Sequence, residues 1–174
     1  MFYEKTFHQA GGRQPVDGFD SLCKAYHQNC VCLMKEQVCD PLTIVYKKVA
    51  NPQTITGLSN DEISFICENA NGEETCETSV CIIETAFMRD YFQLANTFFM
   101  LPDSEMFKHE YGFDPEVECA SNRNKNGEID QYGVVARADK CCGKYVSGKK
   151  PFSGDSGMLE CCDDGEIRSF GTCF

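Results

Sequence analysis

The chain has no Trp, only 3 His, and 16 Lys and Arg set against 27 Asp and Glu. The resulting formal charge of −11 repels phosphate backbones and anionic lipid surfaces, which excludes nucleic-acid binding through a basic footprint. No run approaches the roughly 18 consecutive apolar residues that a spanning helix requires, so no transmembrane segment is expected. His8, His27 and His109 are scattered and no C-x2-C spacing occurs, which argues against a zinc site. There is no N-x-S/T sequon, so asparagine-linked glycans are not expected. The opening MFYEKTFHQAGG lacks both a basic n-region and an apolar h-region, so a secreted form of this chain is expected to have lost its leader.

Cysteine, by contrast, is abundant: 13 among 174 residues, with vicinal pairs at Cys141–Cys142 and Cys161–Cys162. That pattern suits a disulfide framework formed in an oxidising, extracellular compartment. Thirteen is odd, so at least one thiol is expected to be left over or to link a second chain, which opens the way to a disulfide-linked or non-covalent oligomer. Cys23, Cys30, Cys32, Cys39, Cys67, Cys76 and Cys81 lie in the first half, while Cys119, Cys141, Cys142, Cys161, Cys162 and Cys173 lie in the last third. The later six are expected to close among themselves, leaving the odd one at Cys23, Cys30 or Cys32. Hydrophobic residues make up 42% of the chain, enough for a packed core.

Apolar residues at spacings of three and four predict a long helix over Cys76–Phe98, stopped by the LPDSE segment, and an earlier one over Phe19–Met34. Between them the β-branched runs Thr43–Val49 and Glu62–Cys67, joined by a turn-rich segment, predict an antiparallel β hairpin. Residues 114–140 are polar and turn-like. The Gly-rich tail from Cys141 is too short to bury much core and must be ordered by cross-links worth about 2–4 kcal/mol each. The expected organisation is a helical domain over 1–101, a linker over 102–140 and a cysteine-rich module over 141–174.

GGRQPVDGFDSLCKAYHQNC (Gly11–Cys30) resembles the end of the calcium loop and the start of the catalytic helix of secreted phospholipase A2, in which a helix carries C-C-x-x-H-D-x-C. CDPLTIVYKKV and EISFICENANGEETCETSVCIIETAF resemble that family's β-wing and second long helix. The resemblance spans roughly residues 8–98; the tail is similar to cysteine-rich extensions of phospholipase-like modules in invertebrate extracellular proteins. It implies a mainly α fold with a small β-wing, two antiparallel disulfide-linked helices and the pairings Cys39–Cys76 and Cys67–Cys81. In the family a His–Asp dyad activates water while a calcium ion polarises the ester. Here His27 and Glu84 would stand at the dyad, and Phe19, Leu22, Tyr26, Phe87 and Tyr91 would line an apolar inter-helix channel for lipid, fatty acid or pigment.

The sequence departs from the family's pattern at the chemistry. Gln28 stands where the calcium-ligating Asp belongs, FHQAGG replaces a longer Cys- and Gly-rich loop, Lys24 and Ile83 replace cysteines, and Glu84 adds a methylene to the dyad acid. Catalysis and a resident metal are therefore not expected, and His27 and Glu84 are relic candidates. Cys30, without its family partner, could pair with Cys23 or with a neighbouring element. Asn122–Asp130 has the outline of a calcium loop but lacks its leading Asp and closing Glu, so a solvated turn is expected. Glu73–Glu74 and Asp163–Asp164 are solubility features with at most weak calcium affinity. The expected role is that of a degenerate phospholipase-like protein with an extracellular structural or binding function, the alternatives being a carrier of an apolar ligand and an active phospholipase.

Overall fold

A computed structural model describes residues 18–37, 39–49, 51, 54–98, 138–154 and 157–173. It is mainly helical, with two small antiparallel hairpins and five disulfides among these residues. Helix α1 spans Gly18–Gln37, α2 Asn60–Asn71 and α3 Cys76–Phe98. The C-terminal strands are β1 Lys140–Cys142, β2 Lys150–Phe152, β3 Leu159–Cys161 and β4 Ile167–Ser169. β1 pairs with β2 and β3 with β4.

The expected hairpin does not form. Glu62–Cys67, β-branched as it is, lies inside α2. Ser59 starts that helix with a capping box: its hydroxyl accepts the Glu62 N–H, and the Glu62 carboxylate accepts the Ser59 N–H at 2.8 Å. These bonds satisfy two otherwise orphaned donors, and Asp61 and Glu62 complement the positive end of the helix. Ile63 and Cys67, four residues apart, then bury one face. Local capping and tertiary burial override a strand propensity that spans only about 1 kcal/mol.

α1 and α3 run antiparallel. Phe19 meets Tyr91 near one end of the pair (ring centroids 5.4 Å), Tyr26 meets Phe87 further along (4.8 Å), and beyond the other end Cys39 is bonded to Cys76. Cys30, Leu33, Val80 and Ile83 fill the seam between. The second face of α3 takes α2, where Ile63 packs with Ala86 and Cys67 is bonded to Cys81. Both pairings implied by the phospholipase resemblance are thus present.

The tail is not self-contained. Cys141 is bonded to Cys32 in α1, 109 residues away, rather than to another tail cysteine. Adjacent residues of a strand point to opposite faces, so Cys141 staples β1 to α1 while Cys142 staples it to Cys161 of β3. Cys162–Cys173 closes the end. The hairpins touch at Gly143 and Gly165: a Cβ on Gly165, whose φ is +81°, would lie 3.2 Å from the Gly143 Cα, and its left-handed φ favours glycine there. Outside the five bridges stand Cys23, exposed on α1, and Cys30, buried; no Cys23–Cys30 bridge is present. Cys119 lies outside the described residues.

Candidate functional site

The dyad candidates are carried by the α1–α3 seam. A helix turns about 100° per residue, so Tyr26, Cys30 and Leu33 share the stripe facing α3 while His27 is rotated off it. The Tyr26 hydroxyl accordingly donates to Glu84 Oε1 at 2.6 Å. His27 is half-buried, and burial pushes its pKa down. The seam therefore joins Glu84 to the Tyr26 phenol.

Cys30 follows one turn after Tyr26 and is 0% exposed. Burial pushes its thiol up to about 12; a hydrogen bond with Tyr26 opposes this and the Glu84 charge adds to it. Burial and the same carboxylate push Tyr46 up to about 12. Glu84 is thus surrounded by groups held neutral, a setting that keeps the Cys30 thiol protonated and unreactive.

The proposed channel residues are brought together, but largely by packing on one another. Phe19, Tyr26, Phe87 and Tyr91 form a ladder of tilted ring contacts. Beside it, the turn after β1 packs onto the helices. Val146, 7% exposed, joins Ile63 and Ala86 in the core, and Tyr145 packs against the Cys30–Leu33 cluster. Between the helices and that turn remains a cavity of about 50 Å³ touching Leu22, Tyr26, Ile83 and Phe87, room for one or two waters at about 30 Å³ each. A wider groove of about 500 Å³ lies at the Gly18 end, with Leu22 and Leu94 flanked by Ser21, Asp90, Gln93 and Thr97.

The turn is fixed to α1 by contacts that nothing in the cysteine spacing announces. Asn29, 6% exposed, donates to the Tyr145 carbonyl at 3.0 Å and accepts the Lys149 N–H at 2.5 Å. One helical turn beyond Cys32, Glu36 accepts from the Tyr145 hydroxyl and pairs with the Lys149 ammonium, which also lies over the Tyr145 ring at 4.6 Å. Lys35 donates to the Ala138 carbonyl. Asn29, Cys32 and Glu36, at spacings of three and four, thus form one polar stripe dedicated to the tail.

For calcium, the described residues offer no cluster of three or more His, Cys, Asp or Glu side chains within reach of one ion. Gln28 is half-buried, Glu73 and Glu74 are exposed at the α2–α3 turn, and Asp163 is exposed beside Asp164. Asp164 is engaged by Arg168 and by the Glu166 N–H. The Phe7–Gly12 loop and Asn122–Asp130 lie outside the described residues. No described helix is long and apolar enough to cross a membrane. Compared with protein-family models, with curated proteins and with solved structures, the chain matches none.

Proposed function

We propose that the chain is a secreted, phospholipase A2-like protein that has lost hydrolysis and serves as a structural or binding component of an extracellular material. The observation that carries this reading is the hydrogen bond that Tyr26 donates to Glu84 at 2.6 Å, which supports a packing role for Glu84 between α1 and α3. Gln28 in place of an anionic calcium ligand and the tail turn seated over the inter-helix space support it. Five bridges within one chain support an oxidising extracellular setting. The test is fatty-acid release from micellar and bilayer phospholipids at millimolar calcium. No release above that of His27→Gln is expected; calcium-dependent release that this substitution abolishes overturns the reading.

The open groove beside Leu22 and Leu94 favours a second reading, carriage of an apolar small molecule, because it sets apolar side chains at the Gly18 end of the α1–α3 seam. Native mass spectrometry with organic extraction of the purified protein tests it. A mass equal to that of the bare chain, with nothing extracted, removes it.

A further inference from the structure

Residues 44–49, Ile-Val-Tyr-Lys-Lys-Val, run without helix, turn or bend, and their φ values are negative. Ile44 and Tyr46 pack into the core while Val45 is 91% exposed and Lys47 is exposed. Alternating burial of this kind over Ile44–Lys47 is the signature of an extended strand; beyond it Lys48 is exposed and Val49 half-buried. The hairpin partner expected for it in the sequence is α2 instead, so this segment has no ladder among the described residues.

One edge is nevertheless occupied. The Lys47 N–H donates to Asn71 Oδ1 at 2.7 Å, and Asn71 Nδ2 donates to the Lys47 carbonyl at 3.2 Å. In a pleated strand the N–H and C=O of one residue point to the same side and those of its neighbours to the other. The edge of Val45, Lys47 and Val49 therefore faces the end of α2, and the edge of Ile44, Tyr46 and Lys48 faces away. The main-chain groups of Ile44, Tyr46 and Lys48 have no hydrogen-bond partner among the described residues.

We propose that this outer edge is a docking site for an extended acidic segment of another protein, which adds to it as an antiparallel strand. Against this edge Val45 and Lys47 occupy the non-hydrogen-bonded positions, where facing side chains come closest. A partner with Glu or Asp opposite Lys47 and a β-branched residue opposite Val45 fits both. Lys47 and Lys48 are adjacent cations in an acidic chain, and neither is in an ion pair among the described residues. A second copy is the poorer occupant. Its equivalent strand brings two further lysines and no acid, and lysines on an edge are a recurrent defence against self-pairing. This inference does not depend on the loss of hydrolysis.

The full chain titrated with a fluorescein-labelled octapeptide alternating Val and Glu, and with its Val and Lys counterpart, tests the proposal by anisotropy and site-resolved amide exchange. Saturable binding of the acidic peptide is expected, about tenfold tighter than the basic one. Exchange should slow at Ile44, Tyr46 and Lys48 and stay unchanged at Val45 and Val49. Lys48→Pro, which deletes one outer-edge donor, should weaken binding, and the surface double variant Lys47→Glu with Lys48→Glu should reverse the peptide preference. Equal affinity for both peptides overturns the proposal, as does protection of Ile44, Tyr46 and Lys48 already present in the free chain. A dimer paired through this edge, seen by sedimentation, overturns it in favour of a second copy.

Discussion

The hydroxyl of Tyr26 and the carboxylate of Glu84 meet at 2.6 Å across the seam of α1 and α3, 58 residues apart in sequence. A bond to a charged acceptor contributes roughly 1.5–3 kcal/mol, so Tyr26→Phe should lower stability by about 2 kcal/mol. For a chain of this size that corresponds to a fall in Tm of about 4–8 °C, measurable by calorimetry. His27→Gln should move Tm much less, because His27 does not share the stripe facing α3. Equal losses in the two variants would contradict the assignment of Glu84 to Tyr26.

His27 sets a pH dependence whose sign follows from burial. Its folded pKa lies below the ordinary value of 6.5, so as pH falls through 6.5 the unfolded chain takes up the proton first. The contribution of neutral His27 to stability is full above about pH 7 and is lost as pH falls through the folded pKa. Urea titrations between pH 7.5 and about pH 5 should show stability falling with a steeper slope in the wild type than in His27→Gln. Identical slopes would mean that His27 is not desolvated by the fold.

Cys30 should be silent toward thiol reagents in the native state. It is 0% exposed and its thiol is pushed up to about 12, so both access and thiolate are wanting. N-ethylmaleimide applied to the native protein, followed by peptide mapping, should leave Cys30 unmodified until denaturant exposes it. Labelling faster than global unfolding would show that the seam opens locally.

Asn29→Asp tests how the tail is held. An ionised Asp can still accept the Lys149 N–H but cannot donate to the Tyr145 carbonyl, so two acceptors face each other at a site 6% exposed. A cost of about 2–3 kcal/mol is expected from the lost bond and the buried charge, read as a drop in urea midpoint at unchanged m value. Retention of full stability would indicate that Cys32–Cys141 alone seats the tail.

Comparing sequence with structure, α3 was legible to its terminal residues because Val80, Ile83, Phe87 and Leu94 recur at helical spacing over six turns. α1 was legible for the same reason, short of its last turn. α2 was not, because Ile63, Phe65 and Ile66 carry strand propensity, while the deciding signal was the pair Ser59 and Glu62 immediately upstream. At the site, the facing of α1 on α3 was legible, but the choice of Tyr26 over His27 depends on the rotation of α1, which apolar spacing places only coarsely. The Cys32–Cys141 bond and the Asn29 clamp were not legible at all. A cysteine count constrains how many bridges form, whereas partner choice depends on which surfaces meet in three dimensions.

Cys32–Cys141 makes the main chain between those residues one arc of a covalent ring. A ring survives one opening: a protease cut at any single peptide bond between Phe98 and Ala138 adds a water to the mass and separates nothing. Non-reducing electrophoresis of such a nicked protein would show one species, and reduction would release two. The tail's seat on α1 is thus independent of the integrity of the polypeptide that leads to it.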